Sequence, residues 1–236
     1  YGTGDQASAL DQTTAIWLQP SSQPKSCDPL FEVWRQTPRF TQAVVWQRFS
    51  AALEAGEPNL ARYLMRYLSG DNKALAETFY EVHIRPARIT RTSHYRSDND
   101  VMRTIIAHGI ARLAKRDSAK AAQAWNIYRK SHAFDSATSA RLDGIVAVAQ
   151  AENENLFPDE RLRARLKQSD RLEALANAGV EAQKWQEVRF WIDRLPADLQ
   201  QKAQWRYWLA RSHEALDGPT VVRDHLYRNI AGMRHY

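Results

Sequence analysis

Apolar residues recur every three or four positions along most of the chain, and short polar turns separate these stretches. One such stripe contains Val45, Phe49, Ala52 and Leu53. Thr41 precedes this stripe as a helix cap and Gly56 follows it as a stop. No segment combines strict apolar–polar alternation with β-branched residues, so strands are not expected. The pattern predicts an all-α protein of roughly a dozen short helices.

Capping residues and glycines set the other predicted helix boundaries. Pro58 opens a helix that carries Leu60, Leu64 and Leu68, and Gly70 is expected to end it. Further apolar stripes begin after the capping segments Asp98-Asn99-Asp100, Asp117-Ser118 and Pro158-Asp159. The remaining stripes contain Leu142, Ile145, Val146 and Ala149, and then Leu172 and Leu175. Short helices with brief turns are expected to pack against their neighbours in sequence.

Two phrases along the chain are similar and indicate a degenerate repeat. The segments 52–56 and 175–179 each end in Ala-Gly before a further apolar stripe. Each predicts a helix, a glycine turn and a second helix, as in tetratricopeptide-like units. The period is irregular, so a consensus repeat protein is not expected. We expect residues 1–236 to form a single domain, an irregular right-handed superhelix (α-solenoid) of short antiparallel helices.

The segment from Trp185 to Leu226 is the richest in aromatic residues. Its spacing predicts a helix that ends near Leu195-Pro196, a second helix, a stop at Gly218 and a final helix. The second helix contains Trp205, Tyr207 and Trp208. Flat rings can stack on sugars, but neighbouring aromatic residues on a helix point in different directions. Core packing of at least one ring is therefore the favoured interpretation.

The segment from His83 to Asp98 interrupts the helical pattern with Pro86 and several polar residues. It predicts a longer surface connection inside the domain. The segment contains Arg85, Arg88, Arg91 and Arg96, and Arg103 follows shortly after it. A solvated face is the favoured interpretation of these charges. A weak contact with anionic peptidoglycan is a second possibility, whereas RNA binding lacks a recognisable module and stacking aromatics beyond Tyr95.

The charge of the chain favours an anionic partner. The 236 residues are 44% hydrophobic and 25% charged, with a net charge of +6. Nucleic acid, an acidic membrane face and peptidoglycan all qualify. No apolar run approaches the roughly 18 residues of a transmembrane helix, and no signal peptide is visible. The single cysteine, Cys27, lies in a loop and is either a buried thiol or an anchor for a bridge to a cysteine upstream of Tyr1.

Candidate catalytic or metal-binding residues are weak. The histidines are His83, His94, His108, His132, His213, His225 and His235. None of them forms an HExxH motif, and we expect ordinary surface or core roles. Glu152 and Glu154 are paired carboxylates beside Asn153 and Asn155, but they are predicted to lie in a solvated turn. Asp98-Asn99-Asp100 lacks the glycine and the final glutamate of a calcium loop, so we predict no cofactor and no metal.

Several phrases occur in an order that resembles one known family. The first is Ile16-Trp17-Leu18, and the most specific is Cys27-Asp28-Pro29-Leu30-Phe31 with Val33-Trp34-Arg35. They are followed by Ala55-Gly56 before the 60–68 stripe, by 112–117 with Ala121, and by Leu195-Pro196 through 205–208. Together they resemble the superhelical domain of bacterial soluble lytic transglycosylases.

The resemblance implies a periplasmic protein whose helical ring precedes a lysozyme-like catalytic domain. Members of the family cleave the bond between N-acetylmuramic acid and N-acetylglucosamine without water, which gives 1,6-anhydromuropeptides. The family places its catalytic glutamate in a Glu-Ser pair, followed downstream by a Gly-Leu-Met-Gln run and an Asn-Ala-Gly segment. Neither the pair nor the run occurs in residues 1–236. No catalytic residue is therefore assigned.

The resemblance implies that the chain is the scaffold fragment of such an enzyme. The expected partners are peptidoglycan glycan strands, through the parent enzyme, and the catalytic domain of the same protein. No nucleic-acid partner is expected. The alternative is a tetratricopeptide-like adaptor that binds a protein or peptide. The sequence that follows Tyr236 in the gene product distinguishes the two, because a lysozyme-like segment favours the enzyme.

Overall fold

The computed structural model describes residues 6–216 and 218–231, and this part of the chain is helical and contains no strand. The predicted all-α fold class is confirmed. The chain divides into two compact units, residues 1–109 and residues 110–236. The single domain over 1–236 stays a prediction.

The first unit consists of short helices joined by tight turns. Its helices are α1 (Gln6–Trp17), α2 (Asp28–Arg35), α3 (Gln42–Glu54), α4 (Pro58–Leu64), α5 (Gly70–Ile84) and α6 (Asp100–Ala114), the last of which continues into the second unit. Short 3-10 helices cover Lys25–Cys27, Met65–Tyr67, Pro86–Thr90 and Thr92–His94. Large side chains fill the interior of this unit, among them Trp17, Trp34, Phe49 and Phe79.

The second unit continues the same construction. Its helices are α7 (Ser118–Ser131), α8 (Ser136–Glu154), α9 (Glu160–Arg165), α10 (Ser169–Glu181), α11 (Trp185–Ile192), α12 (Ala197–Gln200), α13 (Ala203–Ala215) and α14 (Thr220–Ala231). One apolar cluster joins α8, α10, α11 and α13, and its largest members are Trp191 and Trp205. No helix among the described residues is long and apolar enough to cross a membrane.

The predicted helix caps are confirmed by hydrogen bonds. The Thr41 hydroxyl accepts from the Val44 amide, and the side-chain oxygen of Asn99 accepts from the Met102 amide at 2.9 Å. The carboxylates at positions 117 and 159 cap α7 and α9 in the same way. Each cap satisfies an amide that the first helical turn leaves unpaired. These boundaries were predictable because they depend on residues three positions apart.

The prediction that Gly70 ends a helix is wrong, because Gly70 is the first residue of α5 and has φ +51°. Helix α4 ends at Leu64, and the chain is extended at Leu68. The Gln42 side chain explains this change. Its amide nitrogen donates to the Tyr67 carbonyl at 2.9 Å, and its oxygen accepts from the Ser69 amide at 3.0 Å. These bonds satisfy two backbone groups that would otherwise favour a continued helix.

The second predicted glycine turn is also wrong. Gly56 does lie in a turn after α3, with φ +80°. Gly179, in contrast, lies inside α10, and the turn falls at Gln183, which has φ +53°. A Cβ atom on Gly179 would lie 3.1 Å from the backbone nitrogen of Val188. The glycine therefore permits α10 and α11 to pack closely.

The polar connection after α5 is more ordered than predicted. It forms two short 3-10 helices, and Pro86, Ile89 and Tyr95 are buried. A Cβ atom on Gly109 of α6 would lie 3.2 Å from the Ile89 Cβ, so the absent side chain leaves room for this segment. The arginines of this connection are exposed, as predicted for a surface loop. The prediction is wrong for the buried residues between them.

Candidate functional site

A buried carboxylate on α8 is the most unusual polar group of the second unit. Asp143 is only 3% exposed. Its carboxylate accepts a hydrogen bond from the Trp125 indole N–H at 2.8 Å. It also pairs with Arg129 at 2.9 Å and with Arg165 at 3.2 Å. A buried carboxylate needs such partners, because removing an ionised group from water is costly.

Three helices bring these partners together. Trp125 and Arg129 are four residues apart, so they lie on the same face of α7. Arg165 is the last residue of α9, whose first turn is fixed by the cap at Asp159. Sequence reasoning missed this cluster. The available signal was a charged residue, Asp143, within the apolar stripe of α8.

A cleft of about 530 Å³ opens beside this cluster. Its walls come from α7, α8, α9 and the segment 156–158 that precedes the cap of α9. The apolar part of the lining includes Trp125, Val146, Ala147, Leu156, Phe157 and Pro158. Neutral amides from Asn126 and Gln150 add hydrogen-bonding groups. The volume is that of an ordinary small-ligand pocket.

The charged lining of the cleft is predominantly positive. Four cationic side chains line it, at Arg129, Lys130, Arg161 and Arg165. The two lining carboxylates already have partners, because Asp143 binds two arginines and Asp159 accepts from the Leu162 amide at 2.8 Å. The cleft therefore carries an excess of positive charge toward solvent.

The glutamate pair predicted to lie in a solvated turn is exposed, but it lies in the last turn of α8, so the predicted turn is wrong. Asn155, the residue after it, is the left-handed C-cap with φ +52°. The Glu154 carboxylate accepts a hydrogen bond from Ser118 at the start of α7. Partial desolvation raises the pKa of Glu152, and the Glu181 carboxylate raises it further. Glu154 thus links two helices, a structural role.

The structure brings two of the histidines together, which the sequence spacing did not indicate. His83 Nδ1 and His108 Nε2 lie 3.0 Å apart, and the rings stack with centroids 5.1 Å apart. The two ring nitrogens are within hydrogen-bonding distance of each other. Within residues 6–216 and 218–231, no group of three or more potential ligands could hold a metal.

The remaining histidines lie in different surroundings. His132 is buried beside Tyr128, and His213 is buried on α13. His94 and His225 are exposed, and His235 lies outside the described residues. Burial lowers the pKa of His213, and Arg189 lowers it further, whereas Asp193 acts in the opposite direction.

The aromatic residues of α13 divide between core and surface. Trp205 is buried, and its indole N–H donates to Glu173 at 3.3 Å. Tyr207 is 42% exposed and contacts Trp208 edge to face at 4.9 Å between centroids. Tyr227 of α14 lies 6.4 Å from the Tyr207 ring. The expectation that at least one ring packs in the core is met by Trp205.

The most specific phrase of the sequence, 27–35, has a packing role in the first unit. Trp34 is fully buried, and its indole N–H donates to the Thr14 hydroxyl at 3.0 Å. Phe31 and Trp34 both contact the Trp17 ring at 5.3 Å. Cys27 is a half-buried free thiol among the described residues. The bridge to an upstream cysteine stays a prediction.

Within the arginine-rich stretch 85–103, Arg85, Arg88 and Arg103 pair with nearby carboxylates. Glu81 binds Arg88 at 3.2 Å and Arg85 at 3.7 Å. Arg103 pairs with Asp98 and Asp100. Such exposed local pairs fit a solvated face, and their charge is less available to a partner.

The tripeptide Asn177-Ala178-Gly179 has the letters of the family's Asn-Ala-Gly segment. It lies inside α10, and Ala178 is buried. Since Gly179 serves the contact with α11, the tripeptide has a packing role here. It therefore adds no catalytic residue.

Comparison with known proteins identifies the class to which this helical fold is related. No model of a known protein family matches the chain. The soluble lytic murein transglycosylase of Escherichia coli K12 is 23% identical over 214 residues, which are 89% of this chain and 33% of that protein. The Salmonella typhimurium enzyme is 22% identical over the same length. The chain thus spans about a third of the length of the curated relatives that it matches.

Solved structures give the same relationship. Lytic transglycosylase Slt from Pseudomonas aeruginosa was solved as an inactive mutant. The match covers 98% of this chain and 38% of the Slt chain, with a TM-score of 0.78 and 25% sequence identity. SLT70 from Escherichia coli matches the same shares with a TM-score of 0.76 and 22% identity. The chain is therefore homologous to the N-terminal part of soluble lytic murein transglycosylase, and the predicted resemblance is confirmed.

Proposed function

We propose that this chain is the non-catalytic helical scaffold of a lytic transglycosylase. The whole enzyme would cleave the N-acetylmuramic acid–N-acetylglucosamine bond of peptidoglycan and release 1,6-anhydromuropeptides. The observation that carries this proposal is the match of nearly the whole chain to about a third of enzymes named soluble lytic murein transglycosylase. The Glu-Ser and Gly-Leu-Met-Gln phrases do not occur in the sequence, which supports a non-catalytic role.

Close helix packing suits a scaffold that positions a large polymer. Gly179 and Gly109 each leave space that a neighbouring side chain or helix occupies. The indole N–H is hydrogen-bonded in four core tryptophans, Trp34, Trp125, Trp191 and Trp205. Each bond fixes the orientation of a large core ring. Such fixed packing limits local motion. Catalysis by positioning requires such limited motion, because a small displacement of the reacting bond lowers the reaction rate.

The proposed substrate also sets the location and the partners. Peptidoglycan lies outside the cytoplasmic membrane, so we propose that the protein acts in the periplasm. Its partners would be glycan strands and the catalytic domain of the same protein. The net charge of +6 supports this assignment, because peptidoglycan presents carboxylates on its peptides.

The test is digestion of purified sacculi by the full gene product and, separately, by the 236-residue chain. Soluble products are separated and identified by mass spectrometry. The proposal expects 1,6-anhydromuropeptides from the full gene product and none from the chain. Release by the chain alone would refute the non-catalytic role. A folded full gene product that releases nothing would refute the enzyme and favour the tetratricopeptide-like adaptor.

A further inference from the structure

We propose that the cleft beside Asp143 binds carboxylate groups of the peptidoglycan stem peptide. This inference rests on the proposed function for the identity of the ligand. The cleft is formed wholly by residues 122–165 of the second unit.

The charge balance of the cleft favours an anionic ligand. Both lining carboxylates are already engaged, Asp143 by Trp125 and two arginines and Asp159 by the α9 cap. Lys130 and Arg161 are exposed, and neither forms an ion pair with any residue in 6–216 or 218–231. Two cations facing a concave surface without counter-charge attract carboxylates or phosphates.

The buried carboxylate gives this site fixed geometry. Asp143 binds Arg129 through both guanidinium NH2 groups, at 2.9 and 3.2 Å, and Arg129 also lies 5.6 Å from the Trp125 ring centroid. Arg165 pairs with the same carboxylate at 3.2 Å while its side chain remains 46% exposed. An arginine has five N–H donors, so each keeps donors that can face a ligand. Positioned donors bind a carboxylate with a smaller entropy loss than mobile ones.

The lining also favours a peptide over a bare inorganic anion or a neutral sugar. Apolar groups from Val146, Leu156 and Phe157 provide contact area for side chains such as those of alanine. The Asn126 and Gln150 amides match the donors and acceptors of peptide groups. The lactyl carboxyl of muramic acid is consumed in the amide to the stem. The free carboxylates of peptidoglycan therefore belong to the peptide.

The test is isothermal titration calorimetry of the 236-residue chain with a purified disaccharide–tetrapeptide muropeptide. Chitotetraose serves as the neutral glycan and inorganic phosphate as the simple anion. The proposal expects muropeptide binding that weakens with added salt, and no binding of chitotetraose. Equal binding of chitotetraose, or phosphate binding as tight as muropeptide binding, would overturn the assignment to the stem peptide. No muropeptide binding would overturn the site itself.

Charge-reversal variants locate the site. Lys130→Glu with Arg161→Glu removes the two unpaired cations and should weaken binding by about tenfold or more. The control is Lys115→Glu with Lys202→Glu, which makes the same change in net charge at exposed positions of this unit outside the cleft. It should change affinity by less than about twofold. Equal losses in both double variants would show non-specific attraction and overturn the proposal.

The result separates this inference from the proposed function. Digestion of sacculi by the full gene product with no muropeptide binding by the chain would reject the cleft and leave the enzyme assignment intact. Muropeptide binding with no digestion by the full gene product would keep the cleft as a peptide site and reject the enzyme. The circular dichroism of each variant is measured first, so that loss of binding is not loss of fold.

Discussion

Asp143 accepts a hydrogen bond from the Trp125 indole at 2.8 Å, and this bond joins the buried faces of α7 and α8. Both residues are almost fully buried. The same carboxylate holds Arg129 and Arg165 at the edge of the cationic cleft. One side chain therefore supports the packing of the second unit and the geometry of its candidate binding site.

Replacement of this carboxylate should destabilise the second unit. Asp143→Ala leaves the Trp125 N–H and the Arg129 guanidinium without their acceptor. We expect a loss of about 2–3 kcal/mol in the free energy of unfolding. Asp143→Asn should lose less, because its amide oxygen can still accept from Trp125. Urea unfolding followed by tryptophan fluorescence measures both.

The matched control is Asp170→Ala. Asp170 is exposed and lies 3.5 Å from Arg171, so its removal should cost less than about 0.5 kcal/mol. Similar losses for Asp143→Ala and Asp170→Ala would contradict the central role of the buried carboxylate.

Two helix glycines should respond in opposite directions to alanine. At Gly179 a Cβ would lie 3.1 Å from the Val188 backbone nitrogen, which cannot rotate away. Gly179→Ala should therefore cost about 1–3 kcal/mol. At Gly144 the nearest atom is the Arg171 Cγ, at 3.3 Å, on a flexible side chain. Gly144→Ala should gain up to about 1 kcal/mol from helix propensity.

Thermal unfolding of both variants beside the wild type checks this pair. The wild-type midpoint should lie between the two. Equal stabilisation by both alanines would show that α10 and α11 do not approach as closely as the structure indicates.

Arg48 should stabilise the first unit although no ion pair with a carboxylate of the described residues holds it. It is buried, and it donates to the carbonyls of Gln19 and Ser21, each at 3.1 Å. Its guanidinium lies 4.4 Å from the Trp17 ring centroid. Burial lowers the pKa of Arg48, but an arginine remains charged at neutral pH.

Arg48→Ala should cost about 2–4 kcal/mol, since it removes two hydrogen bonds and the contact with Trp17. Arg48→Lys should recover part of this loss. Hydrogen–deuterium exchange of the segment 17–34 measures the change locally. Arg62→Ala is the control, because Arg62 is exposed and its guanidinium donates to the nearby Asn59. Unchanged exchange in Arg48→Ala would contradict the assigned role.

His213 should make the protein less stable in mild acid. Burial lowers the pKa of His213 in the folded state, while the unfolded value is near 6.5. The unfolded chain therefore binds more protons, and stability falls as pH decreases below about 6.5 toward the folded pKa. The melting temperature should drop more between pH 7.5 and 5.5 in the wild type than in His213→Gln.

The exposed His225 supplies the control for this pH dependence. His225→Gln should keep the wild-type difference between the two pH values. If His213→Gln also keeps it, another group causes the acid sensitivity.

Local chemistry explains which parts of the fold could be predicted. The caps at Thr41, Asn99 and Asp159 were found because a cap and its amide are three residues apart. The start of α5 was missed because Gln42, 25 residues before Tyr67 in the chain, binds the backbone there. Gly179 was misread because its role depends on Val188 of another helix.

The candidate site was missed for the same physical reason. Asp143 is 18 residues from Trp125, and no motif joins it to Arg165. Only helix packing brings these side chains to one cleft. The resemblance of the chain to soluble lytic transglycosylases was confirmed, and the structure shows that the rings of the 27–35 phrase pack in the first unit. Sequence similarity therefore indicated the relationship, and the structure was needed to find the candidate cleft.

We propose that this chain is part of an enzyme that cleaves peptidoglycan without water. Digestion of sacculi by the full gene product in water enriched with oxygen-18 tests it most directly. We expect 1,6-anhydromuropeptides that carry no oxygen-18, because the muramoyl hydroxyl of the substrate attacks the bond. Reducing-end muropeptides that carry oxygen-18 would show hydrolysis instead and refute this proposal, as would the absence of any product from a folded protein.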